Sequence, residues 1–376
     1  MKGEPGAVRR SRDGSWLGTT MLLAVALLIG VTAALLTLDP ATSKSDAVRT
    51  GGLASAAVVA LYALWLNDRR RKVEESRHEL ERRNNEQDRE RVADERFARA
   101  VELLGHEADQ VRVGALHALA GLARSRPSYT QTVLDVVCSY LRRPFDHPDY
   151  GQGGTGEQPA WEQAAMRDAD RERQVRLAAQ RVIGDLVPDR GQPQDPDGSV
   201  PDLDLTGALL DYLDLAGKTI GRLVLRDARL YGTTRFSGAQ ITGEAWFTRA
   251  VSYGRLDCDQ LVFQERSNFP YLIAHGRVSF ERTHFEGGAV FLSAKFRGPV
   301  TMAKSVFDKS VDLRRAAFHD GLDLGCSLPS PLRPGTANMV VDTSSEVRLP
   351  AGWTVLPDGR INRDGDIPAQ VPHLMQ

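Results

Sequence analysis

The chain has 376 residues, and 48 Lys and Arg offset 49 Asp and Glu to a formal net charge of -1. That length suffices for two or three domains with cores of their own, while the neutral total argues against a protein built mainly to coat nucleic acid. Three well-separated cysteines (Cys138, Cys258, Cys326) and eight scattered histidines form no CxxC, HExxH or mixed cluster. Neither a disulfide framework nor a zinc site is therefore expected, and isolated thiols fit a reducing compartment.

Residues 1–16 carry Lys2, Arg9, Arg10 and Arg12, and an uncharged run, Leu17 to Leu38, follows. As a helix this run measures about 33 Å, enough for a hydrocarbon core of about 30 Å. The basic start has the look of a signal-peptide n-region, but the apolar run is too long for a signal core and a second one follows. That second run, Gly51 to Leu66, gives about 24 Å of helix. Trp16, Tyr62 and Trp65 stand where interfacial aromatics belong. Arg69, Arg70, Arg71 and Lys72 follow the second run, whereas Lys44 and Arg49 in the 39–50 connection are offset by Asp39 and Asp46. The positive-inside rule then gives a multi-pass plasma-membrane protein with transmembrane helices 17–38 and 51–66, residues 39–50 outside and both termini cytoplasmic. Its first partner is the lipid bilayer, through two helices that leave a homo-oligomer open. Neither span holds an ionisable residue of the kind that marks a transport pathway.

Residues 67–96 are almost wholly charged or amide-bearing, with acid–base pairs at helical spacing such as Glu79 and Arg83. Val73 and Leu80 begin a heptad that then lapses until Val92, so a solvated single helix is expected rather than a coiled coil. From Phe97 the apolar spacing is again helical, and residues 97–187 read as an α-helical module with a flexible insert at 143–160. Val111–Ala123 (VRVGALHALAGLA) and Val175–Val187 (VRLAAQRVIGDLV) both resemble the inner helix of a HEAT-like unit, which suits a docking or capping element. Gly151, Gly153 and Gly156 spell GxGxxG, but no strand precedes them and no βαβ alternation surrounds them, so a linker is expected, not a dinucleotide site. Residues 188–201 read as a linker.

The character changes at Asp202. Apolar residues recur every five positions at Leu205, Leu210, Leu215, Ile220, Leu225 and Leu230. From Phe236 the steps alternate between five and six, through Phe247, Phe280, Phe285, Phe291, Phe296, Phe307 and Phe318 among others; only Ser252 and Ala274 interrupt the apolar series. Neither a helix nor a plain strand keeps such positions on one face. A chain that turns a corner every five or six residues does. Four sides make a square coil of about 20–22 residues, and coils stacked at about 4.8 Å put these positions on one axis. Cys258, on that axis, is expected to be a buried thiol rather than a nucleophile.

The A(D/N)LxG and FxxAxFxxxAxF patterns, clearest over Ala208–Gly238 and Ala289–Phe318, resemble the pentapeptide-repeat family. The resemblance implies an α+β multidomain chain: two transmembrane helices, a HEAT-like α-helical module and a right-handed quadrilateral β-solenoid over 202–326. The whole layout also resembles bacterial membrane proteins with cytosolic pentapeptide repeats. Residues 327–376 remain, as a loop (Ser327–Met339), a β-hairpin within Arg348–Ile361 turning at Pro357-Asp358-Gly359 that covers the last coil, and a tail.

The function expected from this layout is a non-catalytic protein-interaction scaffold on the cytoplasmic face, with an unidentified cytosolic protein as partner. The alternative is a DNA mimic regulating a DNA-binding enzyme, as the resemblance to topoisomerase-protecting pentapeptide proteins implies. Residues 200–330 carry 15 Asp and Glu against 16 Lys and Arg, a poor imitation of DNA with its charge every ~1.7 Å, and a nucleic-acid partner is not expected. For catalysis only Asp257 with Asp259 and Asp202 with Asp204 stand out; each pair points outward without a base, metal cluster or phosphate loop beside it. No catalytic residue, cofactor or metal is expected.

Overall fold

The first half of the chain is helical and the second winds into strands of two or three residues. The computed structural model describes residues 13–38, 44–150, 160–192, 199–328 and 339–363. The chain divides into two compact units, 1–92 and 93–376.

In the first unit, helix α1 spans Asp13–Leu38 and pairs with the start of α2, Lys44–Leu104. No proline occurs between Lys44 and Leu104, so the helix runs through the expected second span and the charged stretch into the helical module. The expected boundaries at 50, 66 and 96 therefore fall inside one element. The expected outer loop shrinks too, since 44–50 are helical and 39–43 lie outside the described residues. Among the described residues one helix is long and apolar enough to cross a membrane, Arg49–Arg69, with a shorter apolar stretch at Met21–Ala34. Leu22, Leu53, Leu61 and Leu64 are all more than half exposed. Gly51 brings the two helices together: a Cβ there would lie 3.0 Å from the Leu28 carbonyl and collide with the Thr32 hydroxyl. Leu80 and Val92 are exposed in the single chain.

In the second unit, α3 (Asp109–Ser125), α4 (Thr130–Arg142) and α5 (Ala160–Leu186) share one core through Leu116, Leu119, Leu134, Val137 and Ile183. The two look-alike segments lie in α3 and α5, which pack together. A polar knot ties the three helices. Glu172 of α5 accepts from Arg112 of α3 and, at 2.9 Å, from the Tyr140 hydroxyl of α4. Arg176, 3% exposed, donates to Glu172 and to the carbonyls of Leu141 and Arg143. The insert expected to be flexible is anchored over its described part. His147 is fully buried, and the Arg176 guanidinium lies 4.6 Å from the Phe145 ring centre. Residues 151–159, and with them the GxGxxG glycines, lie outside the described residues.

From Leu203 the chain forms a right-handed β-solenoid of about six turns with four parallel sides. The first side runs from Leu203–Asp204 to Val311–Asp312, and the second from Leu209–Asp211 to Val340–Val341. The third runs from Thr233–Arg235 to Val347–Arg348, and the fourth from Thr219–Ile220 to Val306–Phe307. The turns lengthen. Leu203 pairs with Leu223 and Thr219 with Gln240, but Leu223 pairs with Ala245, and steps of 22 then persist. That is the five-residue rhythm giving way to five plus six.

Inside, phenylalanines stack along the axis. Phe247, Phe269 and Phe291 have ring centres 4.8 and 4.7 Å apart; Phe263, Phe285 and Phe307 follow at 5.1 and 4.4 Å. The exception at Ala274 has a packing reason: Leu272 stands where the next turns place Ala294 and Ala316 ahead of Phe296 and Phe318, so the volumes exchange within one side.

Three of the four corners fall into two kinds. Two corners are tight turns with the third residue in the left-handed region, from Gly207 to Asp227, Arg249, Tyr271, Ser293 and Arg315, and from Gly217 and Gly238 to Gln260, Arg282 and Lys304. Another corner is a glycine column, Gly232, Gly254, Gly276 and Gly298, where from Gly254 on each backbone rests on the one before.

Both ends are closed. At the start, the Gln131 side chain of α4 exchanges hydrogen bonds with the Asp202 backbone, the Asp211 N–H donates to Gln180 of α5, and the Thr219 N–H donates to the Pro188 carbonyl. The expected linker thus includes an edge that pairs with the first turn, since Asp189 bridges to Lys218. At the other end the coil runs past the expected limit of 326. Val340–Val341 extends the second side and Val347–Arg348 the third. Trp353–Val355 and Ile361–Arg363 then form the antiparallel hairpin about Pro357–Gly359. Residues 1–12, 193–198, 329–338 and the 364–376 tail lie outside the described residues.

Candidate functional site on the outer faces of the coil

Leu205, Leu210, Leu215, Ile220, Leu225, Leu230 and Phe236 are fully buried, as are Phe247, Phe280, Phe285, Phe291 and Phe296; Phe307 and Phe318 are at most 4% exposed. These residues fill the axis and offer nothing to a ligand. The chemistry available to other molecules lies on the alternate residues that face out.

The thiols and carboxylates singled out in the sequence are held in structural roles. Burial pushes the Cys258 thiol well above its ordinary range, with Asp257 and Asp259 adding to the rise; burial likewise lifts Cys138 to about 12 and Cys326 to about 11. None is a ready thiolate. Asp202 accepts the Arg222 N–H at 2.7 Å. Asp204 accepts the Thr206 hydroxyl and N–H and pairs with Arg142 of α4 at 2.7 Å. Burial alone would raise the Asp204 carboxyl, but these partners outweigh it and hold its pKa below the usual value. Asp257 pairs with Arg255, while Asp259 accepts from the Ser279 hydroxyl and, at 2.9 Å, the Glu281 N–H. The two acidic pairs are therefore corner braces, not a converging dyad. Among the described residues no group of His, Cys, Asp and Glu could hold a metal ion.

One outer row was not singled out by the apolar rhythm. On the second side Tyr231, Tyr253 and His275 stand one above the other, ring centres 4.6 and 5.1 Å apart and ring planes nearly parallel. Tyr150 from the helical module adds a ring at 4.1 Å. Its hydroxyl donates to Asp211 at 2.9 Å, and Arg173 of α5 grips the same carboxylate. Burial, helped by Tyr253, raises the Tyr231 phenol to about 12, and burial with Arg297 nearby lowers the His275 imidazole. The 22-residue spacing of Tyr231, Tyr253 and His275 was the available signal; it concerns outward positions, which an apolar periodicity does not select.

Residues 280–325 match the family model for pentapeptide repeats, in nine copies. No curated protein and no solved structure matches the chain.

Proposed function

We propose that this pentapeptide-repeat-containing protein is a membrane-anchored, non-catalytic scaffold whose coil presents its outer faces to a cytosolic protein. The observation that carries the reading is the coil itself. Its side chains face out at fixed intervals on a frame whose interior is filled and whose polar groups brace the frame rather than converge. Solenoids of this kind bind through extended surfaces.

Anchoring is supported by the exposed apolar face of Arg49–Arg69 and by the apolar stretch Met21–Ala34 that pairs with it. Two passes, with cytoplasmic termini and a plasma-membrane location, follow from the basic residues that flank the pair. The DNA-mimic alternative requires acidic outer rows. The second side instead carries Arg229 at one end of its ring row and Lys295 and Arg297 at the other, the opposite sign.

Two measurements test this. A cysteine placed at Thr42 should react with a membrane-impermeant maleimide on intact cells, while one placed at Gln370 should react only after permeabilisation. Crosslinking in native membranes should join lysines of the coil, such as Lys295 or Lys304, to a cytosolic protein. Labelling of both cysteines from outside would sink the topology. Crosslinks confined to the chain itself would sink the scaffold.

A further inference from the structure

The second side of the coil carries an arrangement that selects one class of partner. Its outward positions alternate in two columns. The first column reads Arg229, Val251, Ile273 and Lys295, joined rung to rung by the strand register. The second holds the ring stack and ends on Arg297. Cations thus stand at both ends of the patch, with aliphatic side chains and ring edges between them.

Several charges on the other sides are answered by the coil itself. Arg314 pairs with Asp312, Arg235 with Asp214, Arg255 with Asp257, and His284 with Asp308. Arg229, Lys295 and Arg297 make no ion pair among the described residues, and no carboxylate occupies an outward position from Arg229 to Arg297 on this side. Neighbouring acids are committed or peripheral: Asp227 pairs with Arg249, Asp211 is held by Arg173 and Tyr150, and Asp146 acts on Tyr231 from the helical module. All three cations are exposed. The rings add to the selection. Their faces cover one another, so the outside meets their edges, the positive part of an aromatic quadrupole. Such edges favour the negative oxygens of carboxylates and carbonyls.

We propose that this side binds an extended acidic segment of a partner protein, with carboxylates at both ends and aliphatic residues between. Three rungs separate Arg229 from Lys295, about 14 Å. An extended chain covers that in four or five residues at about 3.3 Å each, which sets the spacing of the two acidic ends. The proposal rests on the scaffold reading and names the face and ligand chemistry that it leaves open.

The test is selection from a displayed library of random octapeptides against the intact chain in detergent micelles, with the Arg229→Glu, Arg297→Glu double variant as counter-target. The expected winners carry acids four or five residues apart around aliphatic residues. As a labelled synthetic peptide, the best should bind the double variant at least tenfold more weakly, and lose tenfold or more between 0.05 and 0.3 M salt (~10-fold in each case, from screened charge pairs). A Tyr253→Ser variant, which keeps all the charges, should weaken binding severalfold. Matching thermal melts for the variants secure the comparison. The proposal falls if no sequence is enriched, if winners lack acidic bias, or if the double variant binds them unchanged. It also falls if peptides fail while vesicles of phosphatidylglycerol and phosphatidylcholine bind the patch in an Arg229- and Arg297-dependent way, since the face would then read lipid. In-membrane crosslinks from another side would overturn this assignment and leave the scaffold standing.

Discussion

Replacing Phe269 with alanine removes a fully enclosed ring from the middle of the coil. Phe269 has no exposed surface and stacks on Phe247 and Phe291 at 4.8 and 4.7 Å, with Phe263 and Phe280 edge-on at 5.9 and 5.7 Å. Truncation of a buried Phe costs about 3–5 kcal/mol through lost transfer energy and residual cavity. Collapse around the gap is resisted because each neighbour belongs to a turn whose backbone is pinned above and below. Two lost ring stacks, at about 0.5–1.5 kcal/mol each, place the cost at the upper end of that range, about 5 kcal/mol. Phe318 stacks on Phe296 alone, at 5.0 Å, in the last turns, so Phe318→Ala should cost about 3 kcal/mol. Phe269→Leu should lose only ~1–1.5 kcal/mol. The assay is amide hydrogen exchange of the coil in the intact chain, which reads the opening free energy of each turn without assuming two-state unfolding. Equal losses for Phe269→Ala and Phe318→Ala, or a Phe269→Ala loss under about 1.5 kcal/mol, would refute the ladder as the source of stability.

At the glycine corner, a Cβ on Gly298 would lie 2.6 Å from the Gly276 carbonyl oxygen; Gly298→Ala should destabilise by about 1–3 kcal/mol, read as a lower melting temperature. The tight corner predicts opposite signs one rung apart. Gln260 holds φ 58 and should gain about 0.5–1 kcal/mol as glycine, whereas Gly238, at φ 68, should lose a similar amount as alanine; chemical denaturation of the pair checks both. Acid should loosen the first turn from α4. The Asp204 pKa is lowered in the fold, so its contribution is complete above the ordinary 3.8 and fades as pH falls through the lower folded value. Exchange at the first turn should therefore rise below pH 3.8 in the native chain, and Asp204→Asn should remove most of that change.

The square coil was legible because a five- or six-residue period has few other solutions. The Phe series alone placed turns to within a residue through Phe318. What escaped notice shares one cause: each feature depends on a partner distant in sequence. Nothing local in the sequence marks Gln131 and Gln180, yet they close the first turn. The last rungs were missed because they run long. Ala317 pairs with Val340 and Leu322 with Val347, and those longer steps break the rhythm although the backbone ladder continues. The reading of 143–160 as flexible came from its Gly and Pro content; Phe145, His147 and Tyr150 give the first part of that stretch enough apolar surface to dock. The ring row lies outside the apolar frame altogether, which is why the candidate site emerges from register rather than from composition.

The glycine column makes the coil a ruler. Where Gly254, Gly276 and Gly298 let one backbone rest on the next, rise per turn is fixed by contact between main chains rather than by side chains, which are free to vary outside. Length can then change only in whole turns. Copying one 22-residue turn, such as 267–288 with its unbroken pairing on the first side, should lengthen every outer row by about 4.8 Å while leaving both closed ends intact. The distance between the two ends of any outer motif is thereby a digital quantity, counted in turns.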